Sequence, residues 1–100
     1  MTTLMIMRAP FEGDPEELQR IYKSDPDVAA LSQGGFPEGL LRHRTFATDG
    51  AIIVVDEWER PEQFEAWMNK PELQRLIGKL GLGKPEMTFA EQLVMGDETG

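Results

Sequence analysis

A hairpin pattern constrains this chain more than any other feature of its sequence. Two apolar-rich segments flank Asp49-Gly50 within the stretch LLRHRTFATDGAIIVVDEWE, which runs from Leu40 to Glu59. Asp-Gly favours the two-residue type I′ turn, whose backbone twist matches that of paired strands. Such a turn also fixes the register, because a slip of one residue moves every side chain to the other face of the sheet. The stretch therefore predicts two antiparallel strands with defined partners.

The predicted register places the only histidine of the chain opposite an acid. Counting outward from the turn gives the cross-strand pairs Thr48–Ala51, His43–Asp56, Arg42–Glu57 and Leu41–Trp58. Successive side chains of a strand point to opposite faces of the sheet. We therefore expect His43 and Asp56 on one face, and Arg42 and Arg44 on the other.

The segments around the hairpin complete an α+β pattern. Residues 4–11 and 87–94 are apolar enough to predict a first and a last strand. Asp14-Pro15 and Arg60-Pro61 are typical helix starts, and later prolines at 26 and 71 predict that each helix breaks and restarts. The order βαββαβ predicts a ferredoxin-like sandwich with one four-stranded antiparallel sheet. We assign residues 1–95 to this single domain and residues 96–100 to an acidic flexible tail.

The second strand of the hairpin indicates how the sheet is covered. Residues 51–55 are all apolar, so both faces of this strand favour burial. The helices of a ferredoxin-like sandwich cover one face only. A second copy packed sheet to sheet around a two-fold axis would cover the other, which predicts a homodimer that closes into an α+β barrel.

Composition restricts the partners and the compartment. Eighteen acidic residues against ten Lys and Arg give a net charge of −8, which disfavours nucleic acids and anionic membrane surfaces. The apolar N-terminal segment lacks a basic region and stops at Arg8 and Pro10, so it predicts a strand and not a signal peptide. The chain has no cysteine. A cytoplasmic protein with no nucleic-acid or membrane partner is the resulting expectation.

The segments VVDEWERPEQFEAWMNKPELQRLI and PEMTFAEQLV resemble a known family. They are similar to the antibiotic-biosynthesis monooxygenase-like (ABM-like) domains of the dimeric α+β barrel superfamily. The characteristic residues here are Glu57, Trp58, Glu59, Pro61, Glu62, Phe64 and Trp67. The resemblance implies a homodimer without cofactor, which oxidises a small aromatic or polyketide-like substrate through the carbanion of that substrate.

The same superfamily includes enzymes that degrade haem, and the resemblance disfavours this activity here. Those members carry an asparagine on the first strand and an iron-binding histidine on the second helix. The matching positions in this chain are Met7 and Ile77, which supply neither the amide nor the ligand. The fold also hosts isomerases, dehydratases and non-catalytic ligand binders, so these alternatives stay open.

Three groups of residues are candidates for a functional site. His43, held by Asp56, is the candidate catalytic base; the alternative is a structural histidine whose hydrogen bond offsets burial. Tyr22, Trp58 and Trp67 are candidates to line a pocket for a hydrophobic or aromatic ligand, and core packing is the alternative. Arg42 and Arg44 are candidates to bind an anionic substrate group, or else form ion pairs with Glu57. With one histidine and no cysteine, no metal site is expected.

Overall fold

A single antiparallel sheet of four strands organises the computed structural model, which describes residues 2–33 and 35–99. The strands lie in the order β2-β3-β1-β4, as the ferredoxin-like prediction requires. Their bounds are β1 Thr3–Pro10, β2 Leu40–Thr48, β3 Ala51–Trp58 and β4 Glu86–Glu91. Residues 1 and 34 of the predicted domain and residue 100 of the predicted tail lie outside the described residues, and the domain bounds and the flexibility of the tail stay predictions.

Both helical connections are broken in two, as the prolines predict. The helices are α1 Pro15–Ser24, α2 Pro26–Ser32, α3 Pro61–Met68 and α4 Pro71–Lys79. Each begins at a proline, which has no backbone N–H to leave unpaired in the first turn. Asp14 and Asp25 cap α1 and α2 by accepting the backbone N–H two residues ahead, at 3.0 and 2.8 Å.

The hairpin follows the predicted register over most of its length. Thr48 pairs with Ala51, so the two-residue loop is confirmed. The predicted type I′ turn is wrong: Gly50 has a positive φ of 72°, but Asp49 does not have the positive φ that type I′ also requires at its first central residue. The pairs His43–Asp56 and Arg42–Glu57 are confirmed.

The prediction that Leu41 faces Trp58 is wrong. A register shift between Leu40 and Arg42 leaves Leu41 as an extra residue, and Leu40 pairs with Trp58 instead. The shift keeps Leu40 packed against the core, whereas Leu41 is 49% exposed. The backbone bond from Glu59 N to Gly39 O, 2.8 Å long, continues the contact beyond this bulge.

The last strand is also shorter than the predicted span 87–94. β4 pairs only with β1, and Glu91 lies opposite Thr3, the first residue of β1. One further backbone bond runs from Gln92 N to Thr2 O. The chain beyond has no more of β1 to pair with, so Leu93, Val94 and Met95 are 73–79% exposed.

The two faces of the sheet differ in their cover. On the helix-covered face, Met5 and Trp58 of the sheet form a buried cluster with Phe64 of α3. Trp67 and Met68, also in α3, pack against this cluster. The opposite face, which we call the open face, carries apolar residues that are half-buried or exposed. They are Leu4, Ile6, Phe46, Ile53 and Val55.

Candidate active site

His43 and Asp56 form a direct contact on the helix-covered side of the sheet. The imidazole Nδ1 lies 2.5 Å from Asp56 Oδ1. The two residues are cross-strand partners of β2 and β3, so the register fixed by the Asp-Gly turn brings them together. The Asp56 side chain is only 6% exposed, whereas that of His43 is 43% exposed. The pair therefore joins a buried carboxylate to an imidazole that solvent reaches.

The buried carboxylate changes the titration of His43. Its hydrogen bond raises the pKa of His43 above the ordinary value, and its negative charge adds to the effect. Partial burial of the imidazole acts in the opposite direction, since it disfavours the charged ring. A carboxylate only accepts hydrogen bonds, so Nδ1 carries a proton and Nε2 is the acceptor of the neutral ring. Among the described residues, Nε2 has no hydrogen-bond partner.

The second oxygen of Asp56 is also occupied. Trp58 Nε1 donates to Asp56 Oδ2 at 3.2 Å, and Trp58 is only 1% exposed. Sequence analysis left Trp58 either lining a ligand pocket or packing in the core, and here it packs in the core, in edge contact with Phe64. The sequence does carry a signal for the Trp58–Asp56 bond, because residues two apart on a strand point to the same face.

The two candidate arginines lie on the other side of the sheet. Arg42 is in register with Glu57, and Arg44 is in register with Val55. Strand alternation puts both on the open face, away from the imidazole. The structure therefore does not bring Arg42 and Arg44 together with His43 within one chain.

The two remaining aromatic candidates occupy different surroundings. Trp67 is half-buried beside the core cluster, and the Lys70 Nζ lies 5.5 Å from the centre of its ring system. Tyr22 on α1 is 43% exposed and lies outside that cluster. The predicted aromatic residues therefore do not line one pocket in the isolated chain.

The described residues line two concavities of about 180 Å³ each, and neither of these is lined by His43 or Asp56. One lies at the end of the open face, where Leu4, Glu57 and Ala90 contribute to its lining. The other, which sequence analysis missed, has Asp14 and Glu17 in its lining together with apolar residues of α1 and of the segments directly after β1 and α4. They include Phe11, Leu18, Ile21 and Leu80.

No three His, Asp or Glu side chains within residues 2–33 and 35–99 converge as ligands for an ion. The described helices are all too short or too polar to cross a bilayer.

No protein-family model matches the sequence, and no curated protein matches it. Solved structures do match. SnoaB from Streptomyces nogalater, described as a cofactor-independent oxygenase, has a TM-score of 0.71 and 16% identity, with 97% of this chain and 98% of SnoaB covered. Rv0793 from Mycobacterium tuberculosis has a TM-score of 0.67 and 13% identity, with 97% and 100% covered.

A third match extends the same pattern. A protein described as an antibiotic biosynthesis monooxygenase has a TM-score of 0.62 and 12% identity, with 93% of this chain and 99% of that protein covered. The TM-scores of these matches establish the fold. Their sequence identities are too low to establish the activity. The resemblance drawn from the sequence is confirmed at that level: this chain has the ferredoxin-like α+β fold of ABM-like proteins.

Proposed function

We propose that this protein is a cofactor-independent, monooxygenase-like enzyme that acts on a small aromatic or polyketide-like substrate, as a cytoplasmic homodimer. The observation that carries the proposal is the 2.5 Å contact between His43 Nδ1 and the buried Asp56 carboxylate. That contact leaves Nε2 of a solvent-reachable imidazole as a proton acceptor. The monooxygenases among the proteins of similar fold support the reaction class.

The proposed reaction begins with a proton transfer. Nε2 of His43 takes a proton from a carbon that an adjacent aromatic ketone acidifies, and Asp56 stabilises the imidazolium that forms. The substrate carbanion, whose carbon keeps one further hydrogen, then transfers its electrons to dioxygen and a carbon–oxygen bond forms. The His43 imidazolium returns its proton to the peroxide anion, which gives a hydroperoxide. Loss of water from the resulting hydroperoxide leaves a carbonyl, so one oxygen atom enters the product and the other leaves as water.

Trp67 and Tyr22 are the residues that we assign to shaping the substrate pocket. Trp67 has part of its indole accessible beside the core, and Tyr22 presents an exposed phenol on α1. Both offer flat surfaces that suit an aromatic ligand. Arg42 and Arg44 act on a substrate anion only if a second copy brings its open face to the site; otherwise they serve ion pairs of that face.

A second candidate function is a non-catalytic domain that binds a small ligand or only dimerises. The size of the concavities favours it. Pockets for drug-sized ligands occupy roughly 300–1,000 Å³, whereas the two concavities measure about 180 Å³ each. A polycyclic substrate therefore requires either a rearrangement of the chain or walls supplied by the partner.

Oxygen uptake tests the proposal directly. We expect the metal-free protein to accelerate oxygen consumption by at least one member of a panel of hydroxylated tricyclic aromatic ketones. His43→Gln removes the base, so it should lower that rate by roughly 10²–10⁴-fold. Arg20→Ala serves as the control, because Arg20 lies on the exposed side of α1 in an ion pair with Glu17.

The outcomes separate the two candidates. Equal rates for wild type and His43→Gln would exclude His43 as the base. Binding without oxygen uptake, seen as a raised melting temperature with a panel member, would favour the non-catalytic ligand-binding domain.

A further inference from the structure

The carboxylate of Asp56 is held from two sides by chemically different partners. Oδ1 contacts His43 Nδ1 at 2.5 Å, and Oδ2 accepts from Trp58 Nε1 at 3.2 Å. Asp56 is itself 4% exposed, so water supplies few alternative partners. All buried side-chain nitrogen and oxygen atoms of residues 2–33 and 35–99 have hydrogen-bond partners. The indole, the carboxylate and the imidazole are therefore linked in a continuous series of hydrogen bonds.

Trp58 is the rigid end of this series of hydrogen bonds. Its side chain is the largest fully buried one, and its ring meets Phe64 edge-on at a centroid distance of 5.8 Å. Phe64 in turn meets the ring of Phe89 of β4 at a centroid distance of 5.5 Å, so the ring that contacts the indole is itself packed against the sheet. The indole N–H donates and never accepts, which makes Oδ2 a fixed acceptor.

The orientation of the carboxylate decides which nitrogen of His43 carries the proton. The terminal torsion of an aspartate has broad minima, so an Asp56 carboxylate bonded only to His43 would rotate more freely. With Oδ2 anchored by the indole, Oδ1 stays directed at Nδ1. Within the described part of the chain, no other charged group lies in ion-pair range of the imidazole.

We propose that Trp58 is a positioning residue: its buried indole N–H anchors Asp56 so that the carboxylate meets His43 Nδ1 and leaves Nε2 free to accept a proton. The catalytic consequence rests on the proposed function. The positioning itself does not, because it concerns the free protein and is measured without substrate.

Nuclear magnetic resonance of the single histidine tests the positioning. In wild type at a pH where the ring is neutral, we expect the ¹⁵N shifts of His43 to report the Nδ1–H tautomer. Trp58→Phe keeps an aromatic ring and removes the N–H donor, together with part of the buried volume of the indole. It should shift the population toward the Nε2–H tautomer and lower the midpoint of the His43 titration.

Trp67→Phe is the matched control, since it removes the other indole of the chain and that indole makes no bond to Asp56. It should leave the tautomer and the midpoint of His43 unchanged. If Trp58→Phe folds and its His43 behaves as in wild type, the positioning role of Trp58 is excluded.

A second measurement covers the case in which Trp58→Phe does not fold. The indole N–H signal of Trp58 in wild type should titrate with the same midpoint as His43, because the two groups share one carboxylate. The indole signal of Trp67, assigned by its absence in Trp67→Phe, should not follow that midpoint. A Trp58 signal that ignores the titration of His43 would overturn the proposal.

These results are independent of activity. Oxygen uptake that survives in His43→Gln would remove the proposed function and leave the tautomer experiment valid. Conversely, an active enzyme with an unchanged tautomer in Trp58→Phe would retain the base and remove only the positioning role.

Discussion

His43 sits in surroundings that act on its charge in opposite directions. The Asp56 carboxylate favours the protonated ring, and partial burial disfavours it, with the hydrogen bond the larger influence on the pKa. The result is a histidine with a pKa above its ordinary value on an edge strand that solvent reaches. A base with such a pKa accepts protons readily and is itself charged over more of the neutral range.

The stability of the fold should depend on pH through this residue. A pKa raised by folding means that the protonated pair stabilises the native state fully at pH values below the unfolded-state pKa, about 6.5. The contribution is lost as pH rises through the higher folded-state pKa. Urea unfolding should therefore show that wild type loses stability relative to His43→Gln as pH rises from about 6.5, the unfolded-state pKa, through the higher folded-state pKa.

The size of that loss is set by exposure. The His43 side chain is 43% exposed, so solvent screens the pair. We expect a relative loss of roughly 0.2–1 kcal/mol, as for exposed ion pairs. A wild-type advantage that grew with rising pH would contradict the assignment of a raised pKa to His43.

At the scale of elements, turn chemistry accounts for what the sequence predicts well. Asp49-Gly50 sets the hairpin register locally, which is why the His43–Asp56 pair follows from counting residues. The bulge at Leu41 depends instead on the loop at Gly39 and on the core that receives Leu40. Such tertiary influences are absent from a local pattern.

The candidate site also has one part that local sequence patterns predict and one part that depends on tertiary packing. The predicted histidine–acid pair lies within one hairpin, so it was accessible to local reasoning. The locations of Trp58, Trp67 and Tyr22 depend on how α1 and α3 pack against the sheet, which periodicity does not fix. The Asp56–Trp58 bond lies within a single strand, and a carboxylate two residues before a tryptophan is a usable signal for it.

Of two helix caps in this protein, one also contacts a second helix. Asp14 and Asp25 both cap a helix ahead of a proline, but only Asp25 also contacts Lys79 of α4, at 3.2 Å. Lys79 reaches Asp27 as well, at 2.7 Å, and Arg75 contacts Asp27 at 3.2 Å. These contacts join the start of α2 to α4. The hydrogen bonds of Lys79 to Asp27 and then to Asp25 raise the pKa of Lys79.

Replacing each cap by alanine should separate the two roles. Asp14→Ala should cost about 0.5–2 kcal/mol of unfolding free energy, through the lost cap alone. Asp25→Ala should cost more, because it also removes a partner of Lys79. Urea unfolding at low and high salt is the measurement, and only the excess of Asp25→Ala over Asp14→Ala should shrink with salt. Equal costs at both salt concentrations would show that the contact with Lys79 does not contribute.

At the scale of the whole molecule, the open face is the main unexplained surface of the single chain. It presents Phe46, 51% exposed, beside the half-buried Ile6, Ile53 and Val55. Domains of about 100 residues bury a limited fraction of their surface, so they gain much from covering such a face. Without cysteine, this chain has no disulfide to supply that stability in another way.

We expect two copies to pack through their open faces, which Phe46→Glu should prevent. The substitution places a carboxylate among the apolar residues that a partner would desolvate, and an unpaired buried charge is costly. Phe36→Glu is the matched control, because Phe36 is 86% exposed in the loop before β2 and lies off the sheet. In sedimentation equilibrium, wild type and Phe36→Glu should have twice the 11.3 kDa mass of the chain. Phe46→Glu should approach the mass of one chain. A monomeric wild type, or a Phe46→Glu variant that stays dimeric, would show that the open face is not the interface.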